Sequence, residues 1–598
     1  MTKQKGGPLR TAGYSILFSI FFLYLVHVLT LVSYGVDFSD EGRHLNEIKY
    51  ASSYSWAASQ YGSIFHPVAQ VLDFNVFYLR TLNILITFLL SCWVFWIQFW
   101  KFNSSNSQDK LYKLACGLAF GLFGVTFFNV WLPTPSYYSL TFQSLILYWI
   151  SFKLLNIEEF STLKIRFIAF LSFSSSLVFL SKPTAFAIIW IISMTSIWVF
   201  TSNKIKFSLQ YNLFFLFFLL TFSSVFFGNP LILFERIVIA SGMMSIQDPA
   251  YRVENILRFD AFPFSWRLLA LLFVFTAFLA SVVVLTKKSG LRHRFLLFST
   301  LILFILLALY LFITNFSFDS NPIILLVMPL FFGISILLLG PRINFNPRTT
   351  SLNSAVVLLP LAYALGTNGN LWLASVQAIF FLLLFAWWLI LQIRLLDLVL
   401  SAQILMLCLA VPLSIYTIEY GISNPYRQSE TLYLQKDSAT RNEILVGVKL
   451  TDQVNFSIEE MHRSAKEVGF ADGDPIIDLT GQSPLAIFAL SAYPVGNPWM
   501  VGGYAGSNLL AREVIKRVEC KTLIDSWLLI EPNGPRSLDI NFVLRSFGFS
   551  IDDYSYAVSW NTPKGAGGYS DSRLQKLYMP SEIDSDARQK RCQFRKKN

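Results

Sequence analysis

The chain has 598 residues, of which 54% are hydrophobic, 16% aromatic and only 14% charged, with a mean hydropathy of +0.53. Soluble domains carry about 25% charged residues, so an ordinary water-soluble protein is excluded, and 58 Phe exclude a disordered chain. The formal net charge of +11 is, in a membrane protein, a signal of topology before it is one of nucleic-acid binding, and no nucleic-acid partner is expected.

Taken in chain order, apolar runs predict membrane spans at 14–36, 79–100, 114–132, 137–155, 165–181, 184–200, 211–227, 268–285, 295–312, 322–339, 354–365, 371–393 and 398–416. A span needs about 20 residues, so the expected fold is an all-α polytopic domain of about thirteen helices over 1–418. No small-residue cleavage site follows 14–36, which is expected to remain as the first helix. From Glu419 onward Gly, Pro and charges mix evenly, predicting a small α/β domain over 419–598.

Charge sets the expected orientation. Lys3, Lys5 and Arg10 fall on the same side as Lys101, Lys110, Lys113, Lys153, Lys164, Arg166, Lys204, Lys206, Lys287, Lys288, Arg292, Arg294, Arg342, Arg348 and Arg394. The opposite short loops 131–136, 315–322 and 366–370 hold no Lys or Arg. The positive-inside rule puts the N-terminus in the cytoplasm of a multi-pass plasma (inner) membrane protein, and an odd number of spans puts the C-terminal domain outside. The basic tail, with Arg588, Lys590, Arg591, Arg595, Lys596 and Lys597, reads either as a solvated terminus or as a contact for anionic lipid. Cys92, Cys116 and Cys408 lie in apolar runs, and Cys520 and Cys592 could pair in an oxidising compartment.

Two outer loops, 37–78 and 228–266, are much longer than the rest, and long connections are usually functional. Residues 231–244 of the second have the mixture expected of a helix lying at the interface. The first opens VDFSDEGRHLNEIKY. Asp37, Asp40, Glu41 and His44 stand at i, i+3, i+4 and i+7, one helical face, with Ser39 as a candidate N-cap. Acids at a membrane boundary either cap a juxtamembrane helix or mark an ion, proton or substrate site. Asp40 and His44 also have metal-ligand spacing, so a divalent ion on Asp37, Asp40 and His44 stands beside a simply hydrogen-bonded histidine. No cofactor is otherwise expected.

Asp40-Glu41-x-Arg43 in a long first outer loop, with Gly62 later and Arg80 opening the second span, resembles the GT-C superfamily of integral-membrane glycosyltransferases. Protein O-mannosyltransferases and lipid A aminoarabinose transferases are the most similar members. The resemblance covers residues 1 to 266, including the long loop after the seventh span. It implies an enzyme that moves a sugar, with inversion, from a polyprenyl-phosphate donor to an acceptor hydroxyl of a glycan, lipid or protein on the outer face. Asp40 would be the base, Glu41 would orient the acceptor or share its proton, and Asp37 would be the fallback. Arg43 and Arg80 would hold lipid phosphate. Lys182, in LSKPTAF, would need an anion unless it snorkels. Arg236, Arg252 and Arg258 would close over the lipid head or anchor the loop at the interface. His66 and Tyr137 are further candidates for contact with the substrate, though Tyr137 and Tyr138 equally suit an aromatic belt. The alternatives are a multi-span transporter or lipid flippase, and an assembly scaffold.

In the C-terminal region, strands are predicted at 444–450, 475–479, 523–530 and 554–559, and helices at 457–468, 484–491, 507–518 and 538–547, partly in parallel pairing. Neither Gly-rich turn, 478–481 or 501–507, forms a nucleotide-binding loop. Both read as backbone turns, with a sugar- or acceptor-binding surface at Trp499 and Tyr504 as the alternative.

Overall fold

A computed structural model describes residues 8–54, 56–99, 107–155, 164–201, 203–246, 347–367, 371–392, 396–438, 445–581 and 585–597. The protein is mostly helical, with a small sheet near the C-terminus. Its first part holds α1 (Pro8–Thr30), α2 (Asp40–Lys49), α3 (Tyr61–Val71), α4 (Val76–Phe99), α5 (Ser107–Val125), α6 (Tyr137–Leu155), α7 (Lys164–Ser181), α8 (Pro183–Phe200), α9 (Lys204–Phe227) and α10 (Ile232–Ile246). Among the described residues, six helical stretches are long and apolar enough to cross a membrane: Ser15–Ser33, Val76–Gln98, Lys110–Phe128, Lys164–Ser181, Pro183–Phe200 and Lys204–Phe227.

The remaining expected spans divide into four groups. α6 has the expected bounds but is not among the six. Its polar residues turn inward: Gln143 Nε2 donates to Asn83 Oδ1 (2.7 Å) and Thr87 Oγ1 (2.9 Å), and Tyr148 meets Ser193 (2.9 Å). Such interhelical bonds hold bundles together where lipid supplies no hydrophobic contrast. The segments expected as single helices at 354–365 and 371–393 are instead broken into short 3₁₀ and α pieces, among them Leu359–Ala364, Leu371–Ser375 and Phe380–Leu391. The last span becomes α11 (Leu396–Ser423), containing Pro412. The spans at 268–285, 295–312 and 322–339, together with Arg252 and Arg258, lie outside the described residues.

The C-terminal part is α/β. Strands β1 (Asp437–Ser438) and β2 (Lys449–Leu450) pair antiparallel. β3 (Pro475–Asp478), β4 (Tyr493–Pro494), β5 (Trp527–Ile530), β6 (Tyr554–Asn561) and β7 (Leu574–Pro580) form a sheet of order β4-β3-β5-β7-β6. β3 is parallel to both β4 and β5, whereas β7 is antiparallel to both β5 and β6. Successive side chains point to opposite faces of a strand. Ile476, Trp527, Leu529 and Leu577 therefore enter one core with α12 (Asp452–Glu467) and α13 (Pro484–Ala489), while Ile477, Leu479, Leu528 and Ile530 enter a second with α14 (Ser507–Ile515) and α15 (Ile540–Arg545).

Both long loops join these cores. Val36, Phe38, Leu45, Ile48, Tyr61 and Phe65 of the first loop belong to the first core. Met243 of α10 is buried in the second, with Ile239 and Ile246 packed against it. The sheet is thus held between the two long loops. The basic tail also docks. It forms α16 (Ser585–Lys597), tied by a Cys520–Cys592 disulfide, with Arg588 buried and donating to the Ser581 and Asp553 carbonyls. The helix is anchored at Arg588 and Cys592, while Lys590, Arg591 and Arg595 stay exposed.

Candidate functional site

The acid helix α2 begins at Asp40, so Asp37 precedes it instead of sharing its face. Ser39 occupies the N-cap position but makes no side-chain cap. Its hydroxyl donates to the Asp37 carboxylate (2.9 Å) and accepts from Arg427 Nη1 (2.7 Å). The cap comes from Asp37, whose Oδ2 accepts the Glu41 N–H (3.2 Å) while Glu41 Oε2 accepts the Asp37 N–H (3.0 Å). The exchange is reciprocal, like a capping box. Asp37 is fully buried, and burial followed by the neighbouring Asp40 pushes its carboxyl up to about 7.

Glu41 and Arg80 form a fully buried pair. Arg80 Nη2 and Nε donate to Glu41 Oε1 (2.7 and 2.9 Å), and Thr134 Oγ1 donates to the same oxygen. The remaining Arg80 donors reach the carbonyls of Val32 (2.9 Å), Tyr34 (3.3 Å) and Gly35 (2.7 Å). A guanidinium has five N–H groups, and here they hold the loop to the second span. Arg80 therefore leaves no free fork for phosphate, and Glu41 is too enclosed to orient an acceptor.

Asp40 is different. Its side chain keeps 22% exposure. Oδ2 accepts from Tyr426 Oη (2.7 Å) and pairs with Arg427 Nη1 (3.1 Å). Arg427 lies just past α11 in a left-handed turn (φ 51°). It also lines a shallow surface cleft with Phe38, Thr451, Lys564 and Gly565. Tyr426 and Arg427 are neighbours of Asp40 that no pattern in the sequence marks.

Further along α2, Arg43 Nε approaches Glu47 Oε2 (3.7 Å), and its guanidinium stands over the Tyr137 ring (5.9 Å) while remaining partly exposed. Tyr61 Oη donates to Glu47 Oε2 (3.1 Å) and meets His44 Nδ1 (2.9 Å). That chain requires the Nδ1–H tautomer of a neutral imidazole, leaving Nε2 without a partner. Burial, reinforced by Arg43, pushes His44 down to about 3. Burial likewise holds Glu47 above the ordinary carboxylate range. Glu47 was also missed, although Asp40, Arg43 and Glu47 show i, i+3, i+7 spacing. Among the described residues no group of three His, Cys, Asp or Glu could hold a metal ion. With His44 turned to Tyr61, the set Asp37, Asp40 and His44 is not assembled as ligands.

The other candidates brace the loop. His66 Nδ1 meets the Ile48 carbonyl (2.7 Å). Arg236 is buried; it donates to the carbonyls of Tyr54 and Ala51 and stacks over Phe227 (4.5 Å). It fastens α10 onto the first loop instead of anchoring it at the interface. Lys182 does not snorkel. It is buried at the α7–α8 junction, where Nζ donates to the Tyr363 carbonyl (2.6 Å), and among the described residues it has no carboxylate partner. The Gln60 N–H donates to the Leu180 carbonyl (2.6 Å), joining that junction to the first loop. Gly62 fits against the Glu47 carbonyl, which a Cβ would approach to 2.4 Å.

α2 is equally tied to the sheet domain. The Leu485 N–H donates to the Phe38 carbonyl (3.1 Å), and Asn46 Nδ2 to the Pro484 carbonyl (2.8 Å). A Cβ at Gly42 would lie 2.2 Å from Leu485 N, so only glycine lets the two helices approach this closely. The chain matches no protein-family model and no curated protein sequence.

Proposed function

We propose that the protein is a membrane glycosyltransferase that moves a sugar from a polyprenyl-phosphate donor to an acceptor hydroxyl, with Asp40 as general base. The supporting observation is the contrast among three neighbouring acids. Asp37 is buried and bonded within the loop and Glu41 is buried against Arg80 and Thr134, whereas Asp40 stays partly exposed beside Tyr426 and Arg427. In the proposed step Asp40 takes the acceptor proton as its oxygen bonds to the anomeric carbon. The carbon–oxygen bond to the lipid phosphate breaks, and the phosphate leaves with the electron pair. Arg43, partly exposed one turn along α2, and Lys182, a buried amine with no carboxylate partner among the described residues, are the groups proposed to stabilise that charge. Arg80 is assigned to structure. The N-terminus is proposed to be cytoplasmic and the sheet domain outside, where the Cys520–Cys592 bond would persist in an oxidising compartment.

The test is Asp40→Asn in the full chain, supplied with polyprenyl-phosphate sugar. A positioned base contributes about 10²–10⁴-fold. Transfer should fall by that order while donor binding and the unfolding temperature hold. Undiminished transfer would overturn the assignment.

A further inference from the structure

The sheet has a crevice that the acid loop does not use. β3 and β5 are adjacent and parallel. The chain leaves β3 for α13 on one face and leaves β5 for α15 on the other. Ligands of open α/β sheets bind outside the carboxyl ends of the strands at such a switch point. Three loops meet there. Gly502 N–H and Trp499 Nε1 both donate to the Gly481 carbonyl (3.1 and 3.0 Å), and Leu538 N–H donates to the Leu479 carbonyl (3.0 Å). Trp499 is therefore buried in the scaffold, while Tyr504 remains 44% exposed.

The charges at this edge are unequal. Glu531 is buried and satisfied by Arg573 Nε (2.8 Å), Gln482 Nε2 (2.6 Å) and Gln575 Nε2 (2.9 Å). Arg536, from the loop after β5, has no carboxylate partner among the described residues. Its Nε donates to Tyr569 Oη (2.9 Å), and its guanidinium lies over the Tyr504 ring (5.4 Å). Two buried acceptors at and just after the end of β3, Asp478 Oδ2 and Gln482 Oε1, have no donor among the described residues. An unpaired guanidinium suits a carboxylate or phosphate, flat tyrosine faces suit a sugar ring, and acceptors lacking donors suit hydroxyl groups. The edge also adjoins Asp40. The side chain of Arg427, its ion-pair partner, lies against Gly568, next to Tyr569.

We propose that the carboxyl edge of β3 and β5 is a binding site for an acidic oligosaccharide, gripped by Arg536 between Tyr504 and Tyr569. Resting on the glycosyl-transfer reading, this makes the edge the seat of an acidic-glycan acceptor whose hydroxyl reaches Asp40. The binding itself is measurable without turnover.

The full chain in phosphatidylcholine nanodiscs would be titrated calorimetrically with tetragalacturonate, and with maltotetraose as the uncharged control. Binding of the acidic probe should exceed that of the neutral one and weaken with salt. Losing a charge-assisted contact should weaken it about tenfold in Arg536→Ala, and a comparable loss is expected in Tyr504→Ala, each with an unchanged unfolding temperature. Arg536→Lys should retain part of the affinity. Equal binding of the two probes, or full affinity in Arg536→Ala, would overturn the proposal. So would competition by phosphatidylglycerol in the disc, which would assign the patch to lipid head groups. Asp40→Asn should bind the acidic probe normally. Normal transfer by that variant, with binding still dependent on Arg536, would sink the catalytic assignment alone.

Discussion

The acid loop and the carboxyl edge of the sheet are built alike and differ in what they present. Each has a buried glutamate–arginine pair, Glu41–Arg80 and Glu531–Arg573. Each has a buried aspartate that burial raises, Asp37 to about 7 and Asp478 to about 6. Each also has an outer arginine, Arg427 or Arg536. At the loop that arginine is paired with Asp40, whereas at the sheet edge it has no carboxylate partner among the described residues. One site therefore presents an acid and the other a cation. The buried pair gives each site its shape, and the outer group gives it its chemistry.

The largest effect expected from breaking this comparison is at the buried pair. Arg80→Ala should cost about 3–5 kcal/mol, because it leaves an uncompensated buried charge. Arg427→Ala, removing a partner from a partly exposed pair, should cost no more than about 1 kcal/mol. Chemical or thermal unfolding of the full chain distinguishes them, and equal costs would erase the division between structural and presenting arginines.

Next comes the junction that brings the two sites together. Gly42→Ala forces a methyl into the Leu485 backbone and should cost about 1–3 kcal/mol, lowering transfer with it. Gly242→Ala on α10, where no described residue lies within 4 Å of the added carbon, is the control and should leave the unfolding temperature at or above that of the parent.

The smallest effect is on pH dependence. Neutral His44, pushed down to about 3, contributes stability that is complete above its ordinary 6.5 and is lost as pH falls towards 3. Protonated Asp37 has the opposite sign. Its contribution is complete below its ordinary 3.8 and is lost as pH rises towards 7. Unfolding midpoints measured across pH 4 to 6.5 should therefore fall more gently with acidification in His44→Gln than in the parent, and more steeply in Asp37→Asn. Parallel curves for all three would show that neither group titrates as its surroundings require.

How much of this was legible follows from the range of each interaction. The bounds of α6 follow from Pro133 and Pro135 before it and a local run of apolar residues. The acids of α2 stand together in the chain, so their spacing is visible. Arg427 reaches Asp40 across 387 residues from an irregular turn, and no local period marks it. β7 was missed because polar Gln575 points inward beside Leu577, hiding the alternation that marks a half-buried strand. The break-up of 354–393 was invisible for a different reason: apolar composition reports burial, not whether the helix continues.

The close approach at Gly42 has a mechanical consequence. α2 is bonded to the second span through Glu41 and to α13 through Phe38 and Asn46, so it belongs to both halves of the molecule. The sheet and the proposed base are therefore joined through one short helix. A displacement of the sheet domain would thus reach Asp40 through α2, so that α2 couples the sheet to the acid loop.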